Sequence, residues 1–144
     1  MLTQAVGDAL IAMPKRLDER RALNFPGPGE KASWNASSSD GRERFLMDVN
    51  RSQMKLLKCT YQERYRITEI LVRLDLDGPP HCNPDGEMIT GPHIHTYREG
   101  YADKWAMPLP EERFGDPTDL ARTFREFLEF CNVQEVPAIQ AGLQ

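Results

Sequence analysis

The chain has 144 residues, 40% hydrophobic and 28% charged, with a formal net charge of −4. This is the length and balance of a single domain over 1–144 with a core of its own, and the acidic sign excludes a global basic field that would draw in nucleic acid. No apolar run reaches the roughly 18 residues of a membrane-crossing helix, and an N-terminus with Asp8 inside its apolar part lacks the basic start and cleavage site of a secretion signal, so the expected address is cytosolic.

Leu2, Val6, Leu10 and Met13 recur at helical spacing, and Pro14 should end that helix. Lys15, Arg16, Arg20 and Arg21, interrupted by Asp18 and Glu19, read as a solvated face. Residues 25–41 are rich in Pro, Gly, Ser and Asn and read as a loop that Trp34 pins to the body.

From Arg42 the period becomes two. Phe45, Met47 and Val49 alternate with polar residues. In the next run Leu57, Cys59, Tyr61, Tyr65 and Ile67 share one face, and Lys58, Thr60, Gln62, Arg64 and Arg66 the other. In the third, Ile70, Val72, Leu74 and Leu76 oppose Leu71, Arg73, Asp75 and Asp77. Alternation over three consecutive runs with short turns predicts an antiparallel meander with one covered face. A fourth strand is expected over 92–100 and a fifth through 105–109.

Asp116 is placed as the N-cap of a last helix, with Pro117 in its first position and Leu120, Phe124, Phe127, Leu128 and Cys131 as its apolar stripe. Asn132 should end it, and an extended tail is expected from Val136. The expected fold is α+β: an N-terminal helix, an antiparallel sheet of four to five strands, and a C-terminal helix packed on the sheet. Cys59 and Cys131 fit the apolar periodicity as core residues, whereas Cys82 falls in a polar loop. No pair of cysteines has zinc-motif spacing.

All three histidines, His81, His93 and His95, fall within fifteen positions. On a strand over 92–100 the side chains of His93, His95, Tyr97 and Glu99 share one face. Two imidazoles with a phenol and a carboxylate suit proton transfer, which makes these four the candidate catalytic residues. A metal-free phosphodiester or RNA-cleaving enzyme also needs a cation on the phosphate and a platform for a base. Arg64, Arg73, Trp105 and His81 are the substrate-binding candidates for those roles. On this reading no cofactor is expected and RNA is the partner.

The spacing His93-x-His95-x3-Glu99 matches the core of the first cupin motif, so a metal-dependent enzyme using His93, His95 and Glu99, with His81 or Asp85 accessory, is the second enzymatic possibility. Glu87 stands where the cupin glycine belongs, and no histidine follows His95. Asn83-Pro84-Asp85-Gly86 is a turn sequence. The alternative to any active site is that the histidines cap the sheet and that Glu99, Asp103 and Lys104 pair locally around a turn at Gly100.

The segments FLMDVNR, YQERYR, LVRLDLDGPPHCNPDGE, GPHIHTYREGYADKWAMPLP and LARTFREFLEFCNV resemble a bacterial family of unknown function found also in phage and mobile-element contexts. That resemblance implies a soluble prokaryotic protein and carries no catalytic roles. The setting adds a third class of function: an antitoxin, immunity or anti-defence module that binds a cognate protein partner.

Overall fold

A computed structural model describes residues 1–141. Helix α1 spans Gln4–Ala12, followed by strands β1 (Lys15–Leu17), β2 (Leu23–Asn24), β3 (Lys31–Ser38), β4 (Arg44–Arg51), β5 (Cys59–Tyr65) and β6 (Glu69–Leu76). A small hairpin of β7 (His81–Cys82) and β8 (Met88–Ile89) comes next. Then follow β9 (His93–Thr96), β10 (Ala106–Pro108), helix α2 (Leu120–Phe130) and β11 (Ile139–Gln140).

Seven strands form one antiparallel sheet in the order β1-β3-β4-β5-β6-β9-β10. The α+β class holds, but the sheet is larger than the expected four to five strands. The difference lies at its N-terminal side. Residues 31–38 are not loop but β3, whose buried positions, Ala36 and Ser38, are too small or too polar to register as a strand. Trp34 packs on Phe124 of α2 at 5.2 Å between ring centroids, so it does pin this segment, as a strand.

The second difference is Lys15. It opens β1 and is 1% exposed rather than solvated. Its Nζ donates to the carbonyls of Ile11 (2.9 Å) and Cys131 (2.7 Å), where the C-terminal ends of α1 and α2 meet. A cation at two helix C-termini is favoured by both sets of unpaired carbonyls. It also lies 3.1 Å from Oε2 of Glu63, which is fully buried on β5 between Tyr61 and Tyr65.

Both helices feed one core. Tyr61 stacks on Phe124 (5.9 Å, 14°) and donates its hydroxyl proton to the Leu120 carbonyl. Phe124 and Phe127 are wholly buried, each contributing on the order of 2–3 kcal/mol by transfer from water. Cys59 and Cys131 are core residues and Cys82 is exposed, as their periodicity implied. Helix α2 starts later than expected. Asp119, not Asp116, is its N-cap and accepts from Arg122 N, while Asp116 accepts from Thr118 in the turn before it. Its end falls where predicted: Asn132 has φ 60°, and Val133 N and Asn132 N donate to the Leu128 and Glu129 carbonyls, the bond pattern of a left-handed helix stop.

The register sorts the sheet into two faces, because residues directly opposite in an antiparallel pair point the same way. One row reads Ser33, Asp48, Gln62, Arg73, His95, Ala106. The next reads Lys31, Asn50, Thr60, Asp75, His93, Pro108. These rows form the polar face, away from the helices. Near its β9 end, the β7–β8 hairpin folds over it.

Candidate metal centre

Alternation places Arg73 and Asp75 on the polar face of β6, and antiparallel pairing sets them opposite His95 and His93. A carboxylate and a guanidinium are therefore delivered to two imidazoles by sheet register alone. Asp75 Oδ2 lies 3.4 Å from His93 Nε2 and 3.2 Å from His95 Nε2. One ligand atom from each of the three residues falls within 4.8 Å of the others.

The far side of each imidazole is fixed. His93 Nδ1 lies 2.9 Å from the Gly91 carbonyl, and His95 Nδ1 lies 2.8 Å from the Asp103 carbonyl. A carbonyl oxygen only accepts, so both Nδ1 atoms carry the proton, and in the neutral rings both Nε2 atoms present lone pairs. Two lone pairs and a carboxylate thus converge on one point. Backbone carbonyls behind the ligating imidazoles are the usual outer support of a metal site.

Asp75 is held in turn. Thr60 Oγ1 donates to its Oδ1 at 3.0 Å, and Arg73 Nε lies 3.2 Å from its Oδ2. Burial pushes the Asp75 carboxyl up, but its contacts with the His95 imidazole, the Arg73 guanidinium and Thr60 outweigh it and hold it at about 2. Arg73 Nη1 is paired with Asp103, and Arg73 Nη2 sits 3.1 Å from His95 Nε2. In this state a guanidinium covers part of the donor set.

His93 is 3% exposed and His95 not at all. Access runs along a cleft of about 370 Å3 lined by Lys58, Thr60, Arg73, Asp75, His81 and His93, among others. The hairpin closes one wall. His81 Nε2 donates to the Lys104 carbonyl at 2.7 Å, and its ring stands edge-on to His95 at 4.6 Å. The turn within the hairpin is the one the sequence indicated: Gly86 N donates to Asn83 O, and Gly86 has φ 92°.

The expected row of four does not form. Strand β9 stops at Thr96, where Tyr97 N bonds to Leu71 O. A register shift in the β5–β6 pairing between Glu63 and Arg64 leaves Leu71 as the extra residue beside it. Tyr97 turns into the apolar core, against Gly7, and its hydroxyl donates to the Leu2 carbonyl. Glu99 serves α1 instead, accepting from Gln4 N at 2.8 Å. The carboxylate beside the histidines is Asp75, not Glu99.

Of the substrate-binding candidates, Arg73 and His81 reach the cluster. Arg64 does not: it forms a two-point pair with Asp48 and donates to the Ile67 carbonyl. Arg64 lines a neighbouring cleft of about 390 Å3 that shares only Thr60 with the first. Trp105 lies under Arg98 at 4.1 Å and against Tyr101. The residues the spacing argument missed are Asp75, Thr60, Lys58 and Asp103. Alternation had put Arg73 and Asp75 on one face; the pairing of β6 with β9, across a sixteen-residue connection, was the absent piece.

Comparison with curated proteins and with solved structures finds no match. A family model matches residues 2–133, nearly all of the described chain. The chain belongs to DUF6978, a family of unknown function.

Proposed function

We propose that the protein is a divalent-metal-dependent enzyme whose metal is held by Nε2 of His93, Nε2 of His95 and the Asp75 carboxylate. The supporting observation is that both Nδ1 atoms donate to backbone carbonyls while both Nε2 atoms face one carboxylate oxygen. Two imidazoles and a carboxylate suit Zn2+ or Fe2+, and three protein ligands leave positions open for water and substrate. An ion there would polarise a substrate oxygen and acidify a water, which makes hydrolysis the favoured reaction class. His95 forms the floor, His93 and Asp75 face the cleft, and Thr60 keeps the carboxylate turned toward the imidazoles.

The test is hydrolysis of 4-nitrophenyl acetate and bis(4-nitrophenyl) phosphate by protein reconstituted with Zn2+, Mn2+ or Fe2+. Turnover that chelation removes, and that Asp75→Asn lacks, supports the proposal. Metal uptake without turnover of either probe would leave a metal-binding protein rather than an enzyme.

A second reading is favoured by one contact, Arg73 Nη2 to His95 Nε2 at 3.1 Å. It makes the network complete without metal: His93 exchanges protons with an RNA phosphodiester while Arg73 holds the phosphate. Chelator-insensitive cleavage of RNA would favour it.

A further inference from the structure

We infer that the cleft between Lys58 and Arg73 is the binding site for a substrate's phosphate group, and that it becomes available only once the metal is in place. This rests on the metal reading above. Thr60 lies on the polar side of β5, Lys58 immediately precedes that strand, and both line the cleft with Arg73, Asp75 and His93. Lys58 is partly buried there, and its ammonium has no carboxylate partner among the described residues. A lysine and an arginine lining one cleft supply the cationic donors that phosphate oxygens select.

Without metal the cleft is electrically balanced. Lys58 and Arg73 stand against Asp75 and Asp103, and three of the five N–H groups of Arg73 are engaged by those two carboxylates and His95. A phosphate would meet no net attraction and few free donors. A divalent ion needs the same lone pairs on His95 Nε2 and Asp75 Oδ2 that Arg73 now covers. Its arrival adds two positive charges and releases the Arg73 Nε and Nη2 protons. Asp103 still tethers the guanidinium through Nη1, so the freed donors stay at the cleft wall. Metal and anion therefore bind in order, with positive coupling between them.

The assignment reverses the usual expectation for a residue beside a metal. Arg73 competes with the ion and also serves the anion. Its removal should tighten the metal while weakening the phosphate, a split that a merely structural arginine would not produce.

Isothermal titration of the full chain with Zn2+, then with phenylphosphonate as a non-hydrolysable probe, tests this. Wild-type protein should bind phenylphosphonate at least tenfold more tightly with Zn2+ than without. Lys58→Met should keep Zn2+ affinity and lose about tenfold in phenylphosphonate affinity, the scale of one charged hydrogen bond. Arg73→Met should bind Zn2+ more tightly and phenylphosphonate more weakly. Equal phosphonate affinity with and without Zn2+, or no effect of Lys58→Met, overturns the inference while leaving the metal site standing. Absence of Zn2+ binding overturns both, and the first titration shows which has failed. Lys58 supports no strand pairing through its side chain, so its variant remains informative if Arg73→Met does not fold.

Discussion

Asn83, on the β7–β8 hairpin, grips Ala106 of the edge strand β10 at both backbone polar groups. Its Oδ1 accepts from Ala106 N at 2.8 Å, and its Nδ2 donates to Ala106 O at 2.9 Å. Both partners are buried. This clamp seats the hairpin, and the hairpin carries His81 to the other two imidazoles.

Asn83→Ala should therefore cost more than an exposed loop change. It leaves a buried N–H and a buried carbonyl unpaired, a penalty on the order of 2–3 kcal/mol. Chemical denaturation should show that loss, and hydrogen exchange should show the hairpin amides opening ahead of the central sheet. A loss below about 0.5 kcal/mol with unchanged exchange would mean that the clamp does not hold the hairpin.

Gly7 yields an expectation opposite in sign to helix propensity. Gly→Ala in a helix normally stabilises by about 1 kcal/mol. A Cβ at Gly7, however, would stand 2.6 Å from Tyr97 Cδ2, an aromatic ring atom in the core. Gly7→Ala should destabilise by roughly 1–3 kcal/mol through overpacking. A rise in melting temperature would show that Tyr97 can move away freely.

The Lys15–Glu63 pair predicts a pH dependence. Burial raises the Glu63 carboxyl to about 7, with the Lys15 charge opposing. The folded state thus holds the Glu63 proton more firmly than the unfolded chain, whose carboxyl titrates near 4.5. The resulting stabilisation is fully present below about pH 4.5 and is lost as pH rises through about 7. Glu63→Gln cannot titrate there. Relative to wild type, its denaturation midpoint should rise between pH 5 and pH 8, and a constant difference would contradict the assignment.

Much of the fold was legible because burial here follows period two. Phe45, Met47 and Val49 on β4, and Val72, Leu74 and Leu76 on β6, all face the core as their alternation required. The polar strand β3 was hidden because Ala36 and Ser38 carry little apolar signal. Lys15 was hidden because its partners, the ends of two helices and Glu63, lie 4, 116 and 48 positions away. The histidine strand was found, but its extent was not. Strict alternation carried Tyr97 and Glu99 into the row, whereas the shift at Leu71 ends β9 at Thr96 and turns Tyr97 inward. A site assembled across strands is set by pairing order, which one sequence does not spell out.

Thr60 separates orientation from ligation. Its hydroxyl touches Asp75 Oδ1, the oxygen turned away from the imidazoles. Thr60→Val should fold normally and lose about tenfold in metal affinity, the scale of an outer-shell support. Asp75→Asn, which alters the ligand itself, should lose roughly 100-fold or more. Equal affinities for wild type and both variants would remove Asp75 from the site.

Metal content tests whether His93, His95 and Asp75 hold an ion. Protein purified without an affinity tag, stripped with chelator and titrated with Zn2+, should take up one ion per chain by elemental analysis, and His93→Ala/His95→Ala should take up none. No uptake by the wild type, or equal uptake by that variant, would contradict the account.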